Sequence, residues 1–228
     1  MPKANLQVSA VQTPSVWKVG EKVAITYTVQ NTGNDVANTW VGDRLRLVDV
    51  NNSGNMITLE TIPKSRALNP GESYTQVANI TVPAEANTNW RLEVVSDFFS
   101  AVDEQIEVDN ISSQLISLVH PDVMTSDVNV AGILQGGETL NIQWTSNNIG
   151  SAEALSVRDA VYLSRDGIYS ASTDIKLGEF THSYIGVGET NHASISVKLP
   201  VDALGNYQLL IISDSGAVLK ETASREAN

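Results

Sequence analysis

Apolar residues occupy every second position in two widely separated stretches of the chain. In the first, Val23, Ile25, Tyr27 and Val29 alternate with Ala24, Thr26 and Thr28. In the second, Leu140, Ile142 and Trp144 repeat the pattern. Period two with β-branched residues predicts half-buried strands. Each stretch follows a Gly-Glu pair (Gly20-Glu21, Gly137-Glu138) and runs into Asn-x-Gly (Asn31-Thr32-Gly33, Asn148-Ile149-Gly150). Gly20 and Gly137 lie 117 positions apart (137 − 20), and so do Gly33 and Gly150. A repeat that long means two copies of one domain.

The same offset relates Pro70-Gly71-Glu72 to Val187-Gly188-Glu189, Asn89-Trp90 to Asn206-Tyr207, Ser96-Asp97 to Ser213-Asp214 and Glu104 to Glu221. Asp43 and Asp159 are 116 apart, so one residue is lost and regained between the matches. Further strands are expected at Leu6–Val11, Arg44–Leu47, Met56–Ile62, Tyr74–Val82, Trp90–Ser96 and Ile111–Val119. Val16 to Val19 reads as a lead into the Gly20 turn. The second copy repeats the order at Val161–Leu163, Ile175–Thr181, Ala193–Leu199 and Tyr207–Ser213. About seven strands per copy, turn signals every ~8–12 residues and no helical period indicate an antiparallel β-sandwich. The fold class is therefore all-β, two tandem immunoglobulin-like sandwiches covering 1–119 and 120–228. The junction Val119-His120-Pro121-Asp122-Val123 has one proline and no Gly or Ser, the composition of a semi-rigid tandem rather than a flexible link.

Composition then narrows the function classes. Twenty-six acids against 14 bases give a net charge of −12, which repels nucleic acid and anionic membrane surfaces. The absence of cysteine removes disulfides, thiol catalysis and Cys-ligated metals. No apolar run approaches the ~18 residues of a membrane span. Met1 to Asn5 lacks an apolar signal-peptide core, and the start reads as a mature end or an excerpt. There is no Gly-x-Ser-x-Gly, no His-Glu-x-x-His and no phosphate-cradling loop, so the chain is expected not to be an enzyme.

Copy two carries Pro121-Asp122-Val123, Trp144-Thr145, Asn148-Ile149-Gly150 and Asp159-Ala160-Val161-Tyr162-Leu163-Ser164-Arg165-Asp166-Gly167. It continues with Leu177-Gly178, Leu199-Pro200, Asn206-Tyr207 and Glu226-Ala227-Asn228. This series resembles the CARDB family, the cell-adhesion-related domain of bacteria. Copy one departs from it, with Ala4-Asn5-Leu6 at the start and Leu45-Arg46-Leu47-Val48 in place of Tyr-Leu-Ser-x-Asp-Gly. The resemblance implies an extracellular or cell-surface location, repeated Ig-like modules and no catalytic residues. On it, the chain is a non-catalytic extender module whose partners are neighbouring modules or other copies of itself. The alternative is a glycan- or protein-binding module.

Several residues carry candidate chemistry. Asp49, Asn51 and Ser53, in the turn-rich run Asp49 to Gly54, match part of a calcium loop. Glu60, in the expected next strand, lies too far along to close it; a plain hairpin is the competing account. No Lys or Arg occurs from Leu92 to Val157, while ten acids do. A solvated face explains them simply. In Ig topology, however, Asp122, Glu221 and Glu226 come to the pole of copy two that faces copy one, with the Asp49 loop opposite. Calcium shared there would stiffen the junction. His182 and His192 start strands of opposite sheets and read as surface histidines rather than a zinc pair. Trp40, Phe98 and Phe99 sit in outer-pole loops of copy one, either as a contact patch or as plugs of the sandwich end.

The last expectation concerns an edge. Ile111 to Val119 completes the sheet of copy one beside Trp90–Ser96, and its counterpart in copy two would begin at 228. Tyr207–Ile212 would then carry an unpaired edge, which recruits strands. A module boundary cut, a fold-back of Ala217 to Glu221, or a donor strand from another chain in a filament are the three accounts.

Overall fold

A computed structural model describes residues 1–38, 42–64, 67–84 and 89–219. Fourteen strands are formed there, and the chain divides into two compact units, Met1–Val119 and His120–Asn228. The first unit holds β1 (Leu6–Gln12), β2 (Val16–Lys18), β3 (Lys22–Asn31), β4 (Gly42–Asp49), β5 (Met56–Pro63), β6 (Ser73–Thr81), β7 (Asn89–Val95) and β8 (Ile111–Val119). One sheet has the order β1-β3-β6 and the other β2-β8-β7-β4-β5. Both contribute to a single core, with Ile25, Tyr27 and Val29 from one sheet meeting Leu45, Leu47 and Leu92 from the other. The alternation of the sequence is thus the in-out alternation of two stacked sheets.

The second unit holds β9 (Val123–Gly132), β10 (Thr139–Asn148), β11 (Ala154–Ser164), β12 (Ile175–Ile185), β13 (Thr190–Lys198) and β14 (Gln208–Ile212). Its sheets run β13-β10-β9 and β12-β11-β14. Trp144 packs edge-on against Phe180, ring centroids 6.0 Å apart, at the centre of the core. Both units are all-β sandwiches.

One feature differs from the expected layout. Val16–Lys18 is a strand in its own right, pairing in parallel with Ser117–Val119 of β8. Trp17, 1% exposed, is thereby sealed into the core. A three-residue strand is too short to show a period, which is why alternation did not reveal it. In the second unit, residues 133–135 form no strand, and among the described residues β14 pairs only with β11.

The repeat extends to backbone strain. Ala10 and Asp127, Asp97 and Asp214, and Ser100 and Ala217 all have positive φ, and each pair obeys the 117 offset. Ala10 interrupts the β1–β3 register between Ser9 and Gln12, and β9–β10 is interrupted between Gln143 and Thr145.

Candidate functional site

Asp49 ends β4, and its carboxylate accepts the Asn51 N–H at 2.8 Å and the Asn55 amide at 3.3 Å. The Asp49 N–H donates to the Asn55 carbonyl at 3.0 Å. These bonds close the β4–β5 hairpin, with Asn51 and Ser53 exposed at its tip. Glu60 lies in β5 opposite Leu45, away from the tip. Asp122 is half-buried just before β9, its carbonyl accepting the Ile149 N–H at 2.7 Å. Glu221 and Glu226 lie outside the described residues, as does Trp40. Among the described residues, no three His, Asp or Glu come together as a metal-holding group.

The loop after β7 presents Phe98 and Phe99, stacked edge-to-face with centroids 5.3 Å apart. The Arg44 guanidinium lies 3.4 Å from the Phe98 ring centre and 5.4 Å from that of Phe99. Phe98 is half-buried beneath it, whereas Phe99 is 55% exposed. Neither ring belongs to the hydrophobic core. Asp97 holds the loop in shape, its carboxylate accepting the N–H groups of Ala101 at 3.0 Å and Val102 at 2.8 Å. Beside it Glu93 is gripped by Arg46 and Arg91, each at 2.7 Å. Burial works to raise the Glu93 carboxyl, but bonds from Arg91 and Arg46 outweigh it and hold it below the usual range.

The solvated-face account of the acidic run therefore needs correcting. Glu93, Asp97 and Glu104 are buried and perform structural work. Glu104 accepts the Leu6 N–H, and its other oxygen accepts the Asn110 amide at 2.9 Å, fastening the start of β1. Burial pushes its pKa up to about 7, against those two bonds, with Glu107 and Asp97 adding repulsion. A run without bases looks like solvent-facing charge in sequence. For Asp97 and Glu104, backbone N–H groups and the Asn110 amide supply the bonds that Lys or Arg would otherwise supply, while Glu93 is held by Arg46 and Arg91.

At the heart of each sandwich lies one buried carboxylate, Asp43 in the first and Asp159 in the second. Asp43 is fully buried and accepts the hydroxyls of Tyr27 at 2.7 Å and Tyr74 at 2.6 Å. Burial raises its carboxyl, and the Tyr74 and Tyr27 bonds only partly offset that. Asp159, its counterpart, is also fully buried. Its Oδ2 accepts Trp144 Nε1 at 2.7 Å, the Ser146 hydroxyl at 2.6 Å and His182 Nε2 at 2.9 Å. Burial acts to raise the Asp159 carboxyl, but the His182, Ser146 and Trp144 bonds win and lower it. His182 is 3% exposed, not the surface residue its position suggested, because β12 turns it inward onto this carboxylate. His192 is exposed on β13, 3.4 Å from the Thr145 hydroxyl. Only the 116-residue match between Asp43 and Asp159 hinted at this pairing.

The arrangement is one of buried carboxylates held by hydrogen bonds and of capped loops, with aromatic surface at Phe99. Against known families, the CARDB model matches residues 3–114 and again 120–228. The chain belongs to the CARDB family. No curated protein matches it significantly. Among solved structures, the CARDB domain of PF1109 from Pyrococcus furiosus, determined by solution NMR, is similar at 19% identity. That match covers 52% of this chain and 97% of that one, with a TM-score of 0.39. A crystal structure of the same domain in complex with di-metal ions matches at 20% identity, covering 51% and 90%, TM-score 0.36. The sporulation control protein Spo0M of Bacillus subtilis matches at 10% identity, covering 80% and 91%, TM-score 0.38.

Both CARDB repeats share one further device, at the Asn-x-Gly that marks them in sequence. Asn148 is fully buried. Its Oδ1 accepts the N–H groups of Asp122 at 3.2 Å and Gly150 at 3.1 Å. Its amide donates to the carbonyls of Ala152 at 2.8 Å and Ile185 at 3.0 Å. Asn31 does the same for Asn5, Gly33, Asp35 and Leu68. The side chain saturates all four of its bonding positions and ties the domain's entry strand to two loops. What looks like a turn residue is a buried clamp.

Proposed function

We propose that the two CARDB repeats act as a semi-rigid, non-catalytic spacer in a bacterial surface or secreted protein, requiring no cofactor. The junction is the observation that supports this reading. The Val119 carbonyl accepts the Val19 N–H at 2.9 Å within the first unit. The very next carbonyl, that of His120, accepts the N–H groups of Ser151 at 2.8 Å and Ala152 at 3.0 Å within the second. No residue is left over as a linker, so few soft dihedrals remain to swing one unit against the other. Small-angle scattering tests this against a variant carrying Gly-Ser-Gly-Ser between Val119 and His120. The unaltered chain should give a sharp, reproducible long-distance maximum that the insertion broadens. Equally broad distributions for both proteins would remove the spacer reading.

The Arg44–Phe98–Phe99 cluster favours a second reading, a contact surface for glycan or protein. An exposed aromatic beside a guanidinium is the composition of interface hot spots. Array binding that is present in the unaltered chain and lost in Phe99→Ala or Trp40→Ala supports it, and an array with no signal discards it.

A further inference from the structure

The outer face of the larger sheet in the first unit runs against the charge of the chain. Leu45, Leu47 and Leu92 point into the core, so strand alternation sends Arg44, Arg46, Arg91 and Glu93 to the opposite side. The registers set them in neighbouring rows, Arg44 beside Val95 and Arg46 beside Glu93. Leu115 of β8, 68% exposed, lies beside Arg91. Among these four charged residues the balance is three positive against one negative, in a protein of net charge −12. Asp97, next to Phe98, turns its carboxylate back onto its own loop.

The second unit shows that the fold does not require this pattern. Its β11 and β14 pair in the same register, Ala160 with Ile212 and Tyr162 with Leu210. At the repeat offsets these are the places of Arg44, Val95, Arg46 and Glu93. Gln208 stands in place of Arg91, and Ser215-Gly216 in place of Phe98-Phe99. None of these residues, in either unit, belongs to a hydrophobic core cluster. One repeat therefore carries a cationic and aromatic set that packing does not demand.

The arginines also keep bonding capacity, since a guanidinium has five N–H donors. Arg44 donates its Nε–H to the Thr61 hydroxyl at 3.3 Å, and no carboxylate pairs with it among the described residues. The Phe98 ring covers one face of its guanidinium at 3.4 Å and leaves the edge N–H groups to the outside. Arg46 and Arg91 each direct Nε and Nη2 at Glu93, which leaves their other N–H groups for a ligand.

We infer that this face binds an acidic polysaccharide, whose ring carboxylates meet the arginines while an apolar sugar face rests on Phe99. The inference rests on the contact-surface reading of the Arg44–Phe98–Phe99 cluster and names its partner. An anionic ligand is drawn to this face and repelled by the acidic remainder of the chain, so charge fixes where it lands. A planar carboxylate matches the guanidinium fork. Arg44 and Arg46 stand two residues apart on β4, or ~7 Å, and a polymer acidic at successive rings can serve both and Arg91 as well. An acidic peptide is the poorer fit. β4 and β7 are interior strands paired on both sides, so the face offers a peptide none of the main-chain bonds of strand addition.

The experiment titrates the 228-residue chain with a galacturonate hexamer at low salt, followed by calorimetry and amide chemical shifts. Saturable binding is expected, with shifts at Arg44, Arg46, Arg91 and Phe99 and none at Ala160, Tyr162 or Leu210. The methyl-esterified hexamer keeps the sugar rings and removes the charge, so it should bind about tenfold more weakly or worse. Raising the salt to about 0.5 M should weaken the acidic hexamer several-fold. Arg44→Gln should weaken it about tenfold, and Phe99→Ala several-fold. Phe99 is exposed, so Phe99→Ala should melt like the original and keeps the test valid if Arg44→Gln loosens Phe98. Absence of saturable binding, an esterified hexamer that binds as well, or shifts confined to the second unit overturns the inference. So does a poly-glutamate peptide that binds the same residues as tightly, since the face would then read charge alone. Neutral glycans or proteins whose binding Phe99→Ala abolishes, with no response to the acidic hexamer, would overturn the acidic partner and leave the contact surface standing.

Discussion

Single polar side chains hold these sandwiches in register. Asn148 makes four hydrogen bonds with no solvent to replace them. Truncation strands two carbonyls and two N–H groups, and leaving buried groups unpaired costs ~1–3 kcal/mol each at most. Asn148→Ala should therefore destabilise the second unit by about 3 kcal/mol, measured by calorimetry, and leave the first unit's transition unmoved. The buried aspartates should respond unequally. Asp159 is held ionised by three donors on one oxygen, so Asp159→Asn should cost about 3 kcal/mol near neutral pH. Asp43 is disfavoured as an anion by its burial, so Asp43→Asn should cost less than ~1 kcal/mol.

The pH dependence follows from the same directions. With its pKa raised to about 7, Glu104 stabilises the first unit at low pH, and that stability is lost as pH rises through about 7. The lowered Asp159 carboxyl stabilises the second unit above the unfolded carboxylate range and loses that contribution as pH falls below it. Melting the chain between pH 5 and 8 should show the first unit weakening by on the order of 2 kcal/mol as pH rises. Glu104→Gln should flatten that slope.

At the scale of elements, the entry strand of each unit crosses directly over the Asn-x-Gly turn. A Cβ on Gly150 would land on the backbone of Pro121 and Asp122, and one on Gly33 on that of Ala4 and Asn5. Neither obstacle is a flexible side chain that can turn aside. Gly150→Ala should thus destabilise the second unit by more than ~2 kcal/mol by denaturant titration, whereas Ile149→Ala, at its 60% exposed neighbour, should cost far less. Strand β2 is a different case, since three residues gain their stability from Trp17 and from pairing with β8. Trp17→Ala removes a buried indole and should cost the first unit about 3–5 kcal/mol.

For the whole molecule, unequal completion of the two sheets predicts unequal stability. Among the described residues, five strands form the larger sheet of the first unit and three form its counterpart in the second. Calorimetry should resolve two transitions, with the second unit melting first. One cooperative transition with matching calorimetric and van't Hoff enthalpies would show the units to be energetically fused.

What the chain's own order of residues determined was everything local or periodic. Alternation placed the long strands, the 117-residue offset placed two copies, and the motifs of the second copy pointed to CARDB. Those signals survive because side-chain direction in a strand depends only on neighbours two residues away. What needed the tertiary structure was every assignment set by partners distant in sequence. His182 lies 23 residues from Asp159, and Glu104 lies 98 from Leu6. Whether such a group is a surface charge or a buried tie depends on which strand folds across it. Asn148 showed the same limit, since a turn residue and a four-bond clamp are spelled alike.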